Sequence, residues 1–130
     1  MRFNRRTLFH ACLVVPLLPG YAAAAGFTKF TQAGFQQAQA AGRSILVVIN
    51  APWCPTCKVQ DPIIAKLVGE AKYKNVLVLE VDFDSEKDIL RAMKASKQST
   101  LIGFKGTKET GRSVGDTSPL GIEDLIEGTL

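Results

Sequence analysis

Two nearly uninterrupted apolar runs constrain the fold of this chain more than any other feature. Residues 45–49 read Ile-Leu-Val-Val-Ile, and residues 76–81 are apolar at every position except Glu80. Continuous runs of this length, rich in β-branched residues, are typical of strands buried on both faces, whereas a half-exposed strand alternates apolar and polar residues. We therefore expect a sheet that is mainly parallel and covered by helices on both sides.

The segments around these strands carry helix and turn signals. Four helices are predicted, opening at Thr31, Cys54, Ser85 and Ser118. The second helix is expected to run to about Tyr73 with Val59 on its apolar face, and the fourth to bury Leu120. Shorter strands are predicted at residues 27–30, 100–104 and 112–115, with a turn over residues 106–111. The order β-α-β-α-β-α-β-β-α predicts an α/β fold with a central mixed β-sheet flanked by helices on both faces.

Residues 1–25 have the three parts of an export signal. Arginines at positions 2, 5 and 6 precede an apolar run over residues 8–18, and alanines occupy positions 22–25. The segment Arg5-Arg6-Thr7-Leu8-Phe9 resembles a twin-arginine signal, with a general secretory signal or an uncleaved tail as the alternatives. An apolar run of 11 residues is too short to span a membrane, which takes about 20. We therefore expect a cleaved signal, a single domain over residues 26–130, a periplasmic location and no stable membrane insertion after cleavage.

The charge of the remaining chain argues against one class of partner. After residue 25 the chain carries 13 Lys and Arg residues against 12 Asp and Glu residues. A nearly neutral balance of this kind lacks the basic surface that binds phosphate backbones. We expect no nucleic-acid partner.

The chemistry is concentrated in Trp53-Cys54-Pro55-Thr56-Cys57, which follows a buried strand and opens a helix. Cys54 would lie at the helix N-terminus, where free backbone N–H groups and the helix dipole stabilise a thiolate. Pro55 suits the first helical position because its missing N–H costs nothing there. Cys57 lies one turn deeper on the same side. This placement favours a redox pair in which an exposed Cys54 attacks a disulfide and a shielded Cys57 resolves the mixed disulfide.

Other roles for the two cysteines remain open at this point. A bridge over two intervening residues closes too small a loop to stabilise the fold much. Zinc takes four ligands, and the only histidine and the third cysteine, His10 and Cys12, lie within residues 1–25. A two-coordinate copper(I) carrier, or a metal shared between two chains, stays possible. No zinc site within one chain is predicted, and the redox pair is favoured over a metal site.

At this point the sequence resembles the thioredoxin family. The resemblance rests on W-C-P-T-C, on Pro62 five residues after the second cysteine, on Val81-Asp82, on the run from Ser99 to Gly106, and on Gly115. It covers nearly all of residues 27–130 and implies a thioredoxin fold. It also implies that Cys54 is the nucleophile, that Cys57 resolves, and that Trp53, Pro55 and Ser99 contact the substrate.

The same resemblance implies the reaction. We expect an enzyme that exchanges thiols and disulfides with protein cysteines, uses no organic cofactor, acts more as a reductant than as an oxidant, and is recycled by a membrane redox partner. The competing expectation is a thioredoxin-fold protein that binds copper or an iron–sulfur cluster through Cys54 and Cys57.

Three positions depart from the family pattern. Ser99 stands where the family has a cis-proline, and a cis bond before a residue other than proline costs about 3 kcal/mol, so the Gln98–Ser99 bond is predicted to be trans. Val48 and Val78 stand where an aspartate and a lysine are common. Apolar residues there disfavour a charged Cys57 thiolate, so release of the mixed disulfide should be slow near neutral pH and faster in base.

Overall fold

The computed structural model of the protein describes residues 26–130, and the predicted export signal in residues 1–25 lies outside the described residues. Within them, no helix is both long enough and apolar enough to cross a bilayer. The described part of the chain forms a three-layer α/β structure.

The elements follow the predicted order. They are β1 (Phe27–Lys29), α1 (Gln32–Ala40), β2 (Ser44–Asn50), α2 (Pro55–Val68), a 3-10 turn (Ala71–Tyr73), β3 (Leu77–Asp82), α3 (Lys87–Ala92), β4 (Thr100–Lys105), β5 (Lys108–Val114) and α4 (Pro119–Glu127). This sequence of strands and helices confirms the predicted fold class.

The five strands form one mixed sheet in the order β1-β3-β2-β4-β5. β3 pairs in parallel with β1 and β2, whereas β4 runs antiparallel to both β2 and β5. Ile49, Thr100 and Val114 are therefore in register across three neighbouring strands. The end of β2, the start of β4 and the end of β5 meet at one edge of the sheet, and Cys54 follows β2 at that edge.

The central strand β2 joins two apolar cores because alternate side chains point to opposite faces. Ile45, Val47 and Ile49 pack with residues of α1 and α3, whereas Leu46 and Val48 pack with residues of α2 and α4. All five are at most 1% exposed. Full burial of one such side chain contributes about 1.5–3 kcal/mol, so the apolar run fixes β2 as the centre of the fold.

Local sequence signals determine where α1 and α4 begin. Thr31 caps α1 by accepting a hydrogen bond from the Gly34 N–H at 3.0 Å, and the rings of Phe30 and Phe35 pack 5.2 Å apart across this turn. Ser118 caps α4 in the same way, with Pro119 at the first helical position. These starts agree with the sequence predictions.

Two predicted core positions and the predicted end of one helix are wrong, although Ile64, Leu67, Val68, Ile122 and Ile126 are buried as expected. α2 ends at Val68 rather than near Tyr73, and its buried positions are Cys57, Gln60, Ile64, Leu67 and Val68. Val59 falls outside this face and is 49% exposed. Leu120 is 73% exposed on the first turn of α4, because Ile122 and Ile126 set the buried face of that helix.

Two boundaries also differ from the predictions. Ser85 does not cap α3, since that helix begins at Lys87 and its N-cap residue is Glu86. The carboxylate of Asp82 instead accepts the N–H groups of Asp84 and Ser85, which forms a turn before the helix. The hairpin turn is only Gly106-Thr107, because β5 begins at Lys108.

Candidate active site

The cysteine pair lies where strand β2 passes into helix α2. Cys54 is the N-cap residue of α2, Pro55 occupies the first turn, and Cys54 and Cys57 form a disulfide with their Cα atoms 5.3 Å apart. The Cys57 N–H donates to Cys54 Sγ at 3.1 Å. The sulfur of Cys54 therefore takes the place of a capping oxygen and receives one of the free N–H groups at the helix start.

Both cysteines are buried in this disulfide form. Cys54 and Cys57 are each 1% exposed and pack with Ala51, with Phe83 beside them. The expectation that Cys54 is exposed and Cys57 shielded therefore does not describe the oxidised protein. The disulfide bond holds the sulfur of Cys54 against Cys57, and Ala51 and Phe83 pack against the pair.

Trp53 forms the exposed rim beside the pair. It is 53% exposed, its Nε1–H donates to Asp84 Oδ2 at 2.8 Å, and its ring meets Phe83 edge-on at 6.2 Å. The ammonium group of Lys87, the first residue of α3, lies 4.2 Å from the centre of the Phe83 ring. These two contacts of the indole, with Asp84 and Phe83, fix its orientation. Its exposed apolar face is therefore suited to contact with another polypeptide.

Ser99 lies at the same edge of the sheet, just before β4. The Gln98–Ser99 bond is trans, as predicted, and Ser99 has a φ of 57° in the left-handed region. Its N–H donates to Ile49 O at 2.8 Å, its carbonyl accepts the Gly115 N–H at 2.9 Å, and its hydroxyl donates to Gln98 O at 2.6 Å. Ser99 is only 6% exposed, and all three of these hydrogen bonds are made within the protein.

A polar cleft adjoins the pair on the side of β3. It has a volume of about 340 Å³ and is lined by residues of β2, β3 and α2 that include Asn50, Lys58, Asp61, Glu80 and Asp82. Asn50 Nδ2 donates to both carboxylate oxygens of Asp61, at 3.0 and 3.2 Å. The two positions where the family commonly has an aspartate and a lysine are the buried apolar residues Val48 and Val78. Charged groups nevertheless lie beside the cysteines, in this cleft.

The two acidic residues of β3 in this cleft differ electrostatically. Burial raises the pKa of Glu80, and the nearby carboxylates of Asp61, Asp82 and Glu86 raise it further. Hydrogen bonds from the backbone of Ser85 and Asp84 lower the pKa of Asp82. Within residues 26–130, no group of three or more His, Cys, Asp or Glu side chains is arranged to hold a metal ion.

The structure brings the predicted residues to one edge of the sheet and adds three that the sequence analysis missed. Trp53, Cys54, Pro55 and Cys57 lie at the junction of β2 and α2, and Ser99 bonds to the end of β2. The residues missed are Asp84, Glu80 and Gln60. Gln60 lies three residues after Cys57, but the apolar pattern of α2 favoured Val59 equally, and no sequence signal pointed to Asp84.

Comparisons with known proteins agree with this arrangement. The family model described as thioredoxin matches residues 26–127. The chain is 33% identical to thioredoxin-2 of Saccharomyces cerevisiae over 93 residues, which is 71% of this chain and 86% of that protein. It is 35% identical to human thioredoxin over 97 residues, which is 73% of this chain and 87% of that protein.

A solved structure gives the same result. Trxlp from Edwardsiella tarda EIB202 superposes with a TM-score of 0.75 at 37% identity, covering 78% of this chain and 98% of that chain. This chain belongs to the thioredoxin family and is a thiol–disulfide oxidoreductase.

Proposed function

We propose that this protein is an exported, periplasmic reductant of protein disulfides. The environment of Cys54 Sγ is the observation that favours a reductant over an oxidant. Among the described residues its one hydrogen-bond donor is the Cys57 N–H at 3.1 Å, and the sulfur is buried. A strong oxidant stabilises its reduced thiolate, and one backbone donor in an apolar setting provides little of that stabilisation.

The reaction follows from the order of the two cysteines. The Cys54 thiolate attacks one sulfur of a substrate disulfide, forms a mixed disulfide, and displaces the other substrate sulfur as a thiolate. Cys57 then loses its proton and attacks Cys54 Sγ, which forms the Cys54–Cys57 disulfide and releases the second substrate thiolate. Two electrons pass from the pair to the substrate, so a dithiol donor at the membrane must reduce the pair again.

The exposed surface beside the pair supports protein substrates. Trp53 and Val114 are 53% and 55% exposed at the edge of the sheet that carries Cys54. We call Trp53, Val114 and Gly115 the docking edge. Hydration of exposed apolar side chains is unfavourable in free energy, and neighbouring exposed apolar side chains are typical of interaction sites. The pair itself is the redox centre, and the proposed reaction needs no organic cofactor.

The reduction potential tests the direction. Alkylation of free thiols across glutathione buffers would measure it for the purified protein. A value near the thioredoxin level of about −270 mV supports a reductant, whereas a value near about −120 mV, typical of a strong periplasmic oxidant, would overturn that direction.

Cell fractionation tests the location. The full chain and a variant with Arg5→Lys and Arg6→Lys would be expressed in a bacterium, and periplasm and cytoplasm compared. Periplasmic wild-type protein with a cytoplasmic variant supports twin-arginine export. Export of both proteins would point to the general secretory route, and retention of both would overturn the periplasmic proposal.

The trans bond before Ser99 favours one competing function, binding of copper or an iron–sulfur cluster by Cys54 and Cys57. Protein purified without chelator would be assayed for copper and iron beside Ser99→Pro. A stoichiometric metal that Ser99→Pro removes would support the metal protein. Metal-free wild-type protein, or equal metal in both, would exclude this role for Ser99.

A further inference from the structure

Gln60 is a polar side chain in an apolar position. It lies on the core face of α2 between Cys57 and Ile64, and it is fully buried. Its Oε1 atom has no hydrogen-bond partner among the described residues. A buried acceptor without a partner costs free energy, which an aliphatic side chain of similar volume would avoid. The hydrogen bonds that the amide donates must therefore offset this cost.

Those hydrogen bonds tie α2 to two other segments. Gln60 Nε2 donates to Asp116 O at 2.8 Å and to Ser99 O at 3.3 Å. Ser99 immediately precedes β4, and Asp116 follows β5 by two residues. One amide on the helix that carries Cys57 thus holds the backbone at the ends of both strands.

The segment at Ser99 needs such support. A residue other than glycine with a φ of 57° is strained, because its Cβ approaches the backbone. Ser99 O accepts two hydrogen bonds, from Gln60 Nε2 and from the Gly115 N–H at 2.9 Å. These bonds hold the peptide in an orientation that its own backbone preference does not favour.

The segments that Gln60 holds lie beneath the docking edge. Gly115 is bonded to Ser99, and Asp116 follows Gly115 directly. Val114 is in register with Thr100, the residue after Ser99. A protein that lies along Val114 and Gly115 therefore rests on backbone whose position depends on the Gln60 amide.

We propose that Gln60 is a positioning residue that holds the Ser99 and Asp116 backbone under the docking edge and thereby sets the affinity for protein disulfides. This inference rests on the proposed action on protein substrates. Gln60 has no part in the chemistry of the sulfurs in this role. Its loss should weaken the binding of proteins and leave reaction with small disulfides unchanged.

The test compares Gln60→Met with wild-type protein on two substrates. Methionine keeps the length and apolar stem of the side chain but cannot donate. The KM for reduction of insulin should rise about three- to tenfold, as expected for loss of hydrogen-bonded support, with kcat within twofold. The rate with the small disulfide 5,5′-dithiobis(2-nitrobenzoic acid) and the reduction potential should stay at wild-type values. Gln36→Met, an exposed substitution on α1, is the matched control.

Amide hydrogen exchange separates a local effect from general loss of stability. Gln60→Met should speed exchange at the Ser99 and Gly115 amides about tenfold or more, whereas the Val47 amide in β2 should change little. Equal acceleration everywhere would indicate a purely structural residue and overturn the proposal. A folded variant with a wild-type KM for insulin would overturn it as well.

A measurement on chains with an intact Gln60 keeps the proposal testable if Gln60→Met does not fold. A protein substrate trapped on Cys54 in a Cys57→Ser chain should shift the NMR signals of the Gln60 side-chain amide and the Gly115 N–H. Unchanged signals would contradict the proposal. Failure of the proposed function looks different, because wild-type protein would then reduce the small disulfide and leave insulin unreduced.

Discussion

The orientation of Trp53 should control how well this protein binds its substrates. The indole is held by its hydrogen bond to Asp84 Oδ2 at 2.8 Å and by the edge-on contact with Phe83. Asp84→Ala removes the acceptor and leaves the backbone turn that Asp82 stabilises in place. Solvent reaches both partners, so the hydrogen bond contributes about 1 kcal/mol or less. That free energy corresponds to about a fivefold change in the occupancy of the fixed orientation.

Fluorescence and kinetics would measure this effect. Trp53 is the only tryptophan of the chain, so all tryptophan emission reports on it. In Asp84→Ala the steady-state anisotropy should fall, and the KM for insulin should rise about two- to fivefold with kcat little changed. Asp88→Ala is the matched control, because Asp88 is exposed on α3 and pairs with Arg91. Wild-type anisotropy and wild-type KM in Asp84→Ala would refute the role assigned to the hydrogen bond.

Three further predictions concern release, charge and capping. Release of the mixed disulfide by Cys57 should quicken between pH 6 and 9 in stopped-flow measurements, because buried Val48 and Val78 offer no group to accept its proton. Glu80→Gln should raise the free energy of unfolding at pH 7 by less than about 1 kcal/mol, measured in urea, since burial and neighbouring carboxylates raise the pKa of Glu80. Ser118→Ala should lower the free energy of unfolding by about 1 kcal/mol, because it removes the cap of α4.

The sign of the Glu80 prediction follows from proton linkage. The folded state binds the proton of this carboxyl more tightly than the unfolded state, so stability falls as the pH rises from the ordinary glutamate range through the raised pKa. The gain from Glu80→Gln should therefore be full at neutral pH and vanish below about pH 4. A gain of the same size at pH 3 would contradict this reasoning.

The other two predictions have equally direct checks. A release rate that is flat across pH 6–9 would contradict the first prediction and indicate that another group, such as Asp61 or Glu80 in the adjoining cleft, accepts the Cys57 proton. For the cap, Ser96→Ala is the control, because Ser96 is exposed and lies between α3 and β4. Its effect should stay within about 0.5 kcal/mol, and an equal loss in both variants would argue against capping by Ser118.

The sequence predicts most of the fold because its strongest signals act locally. The apolar run of β2 can be satisfied only by cover on both faces, and Ser118-Pro119 begins α4 where the capping rules place it. The trans bond at Ser99 could also be predicted, because the cost of a cis bond before serine is intrinsic to the chain.

The parts that could not be predicted depend on contacts between distant segments. The apolar pattern of α2 allows Val59 or Gln60 to face the core, and only the packing of Cys57 and Ile64 against the sheet selects Gln60. The hydrogen-bond partners of Gln60 are 39 and 56 residues away along the chain. Cys54 is likewise buried in a cluster against which Phe83, the residue after β3, packs.

Trapping of the mixed disulfide tests the central claim most directly, namely that Cys54 attacks and Cys57 resolves. Cys57→Ser and Cys54→Ser chains would be reduced, mixed with insulin, quenched with acid and examined by mass spectrometry. Cys57→Ser should accumulate a covalent complex joined through Cys54, and Cys54→Ser should accumulate little or none. Preferential trapping on Cys57, or equal trapping on both, would contradict the assignment.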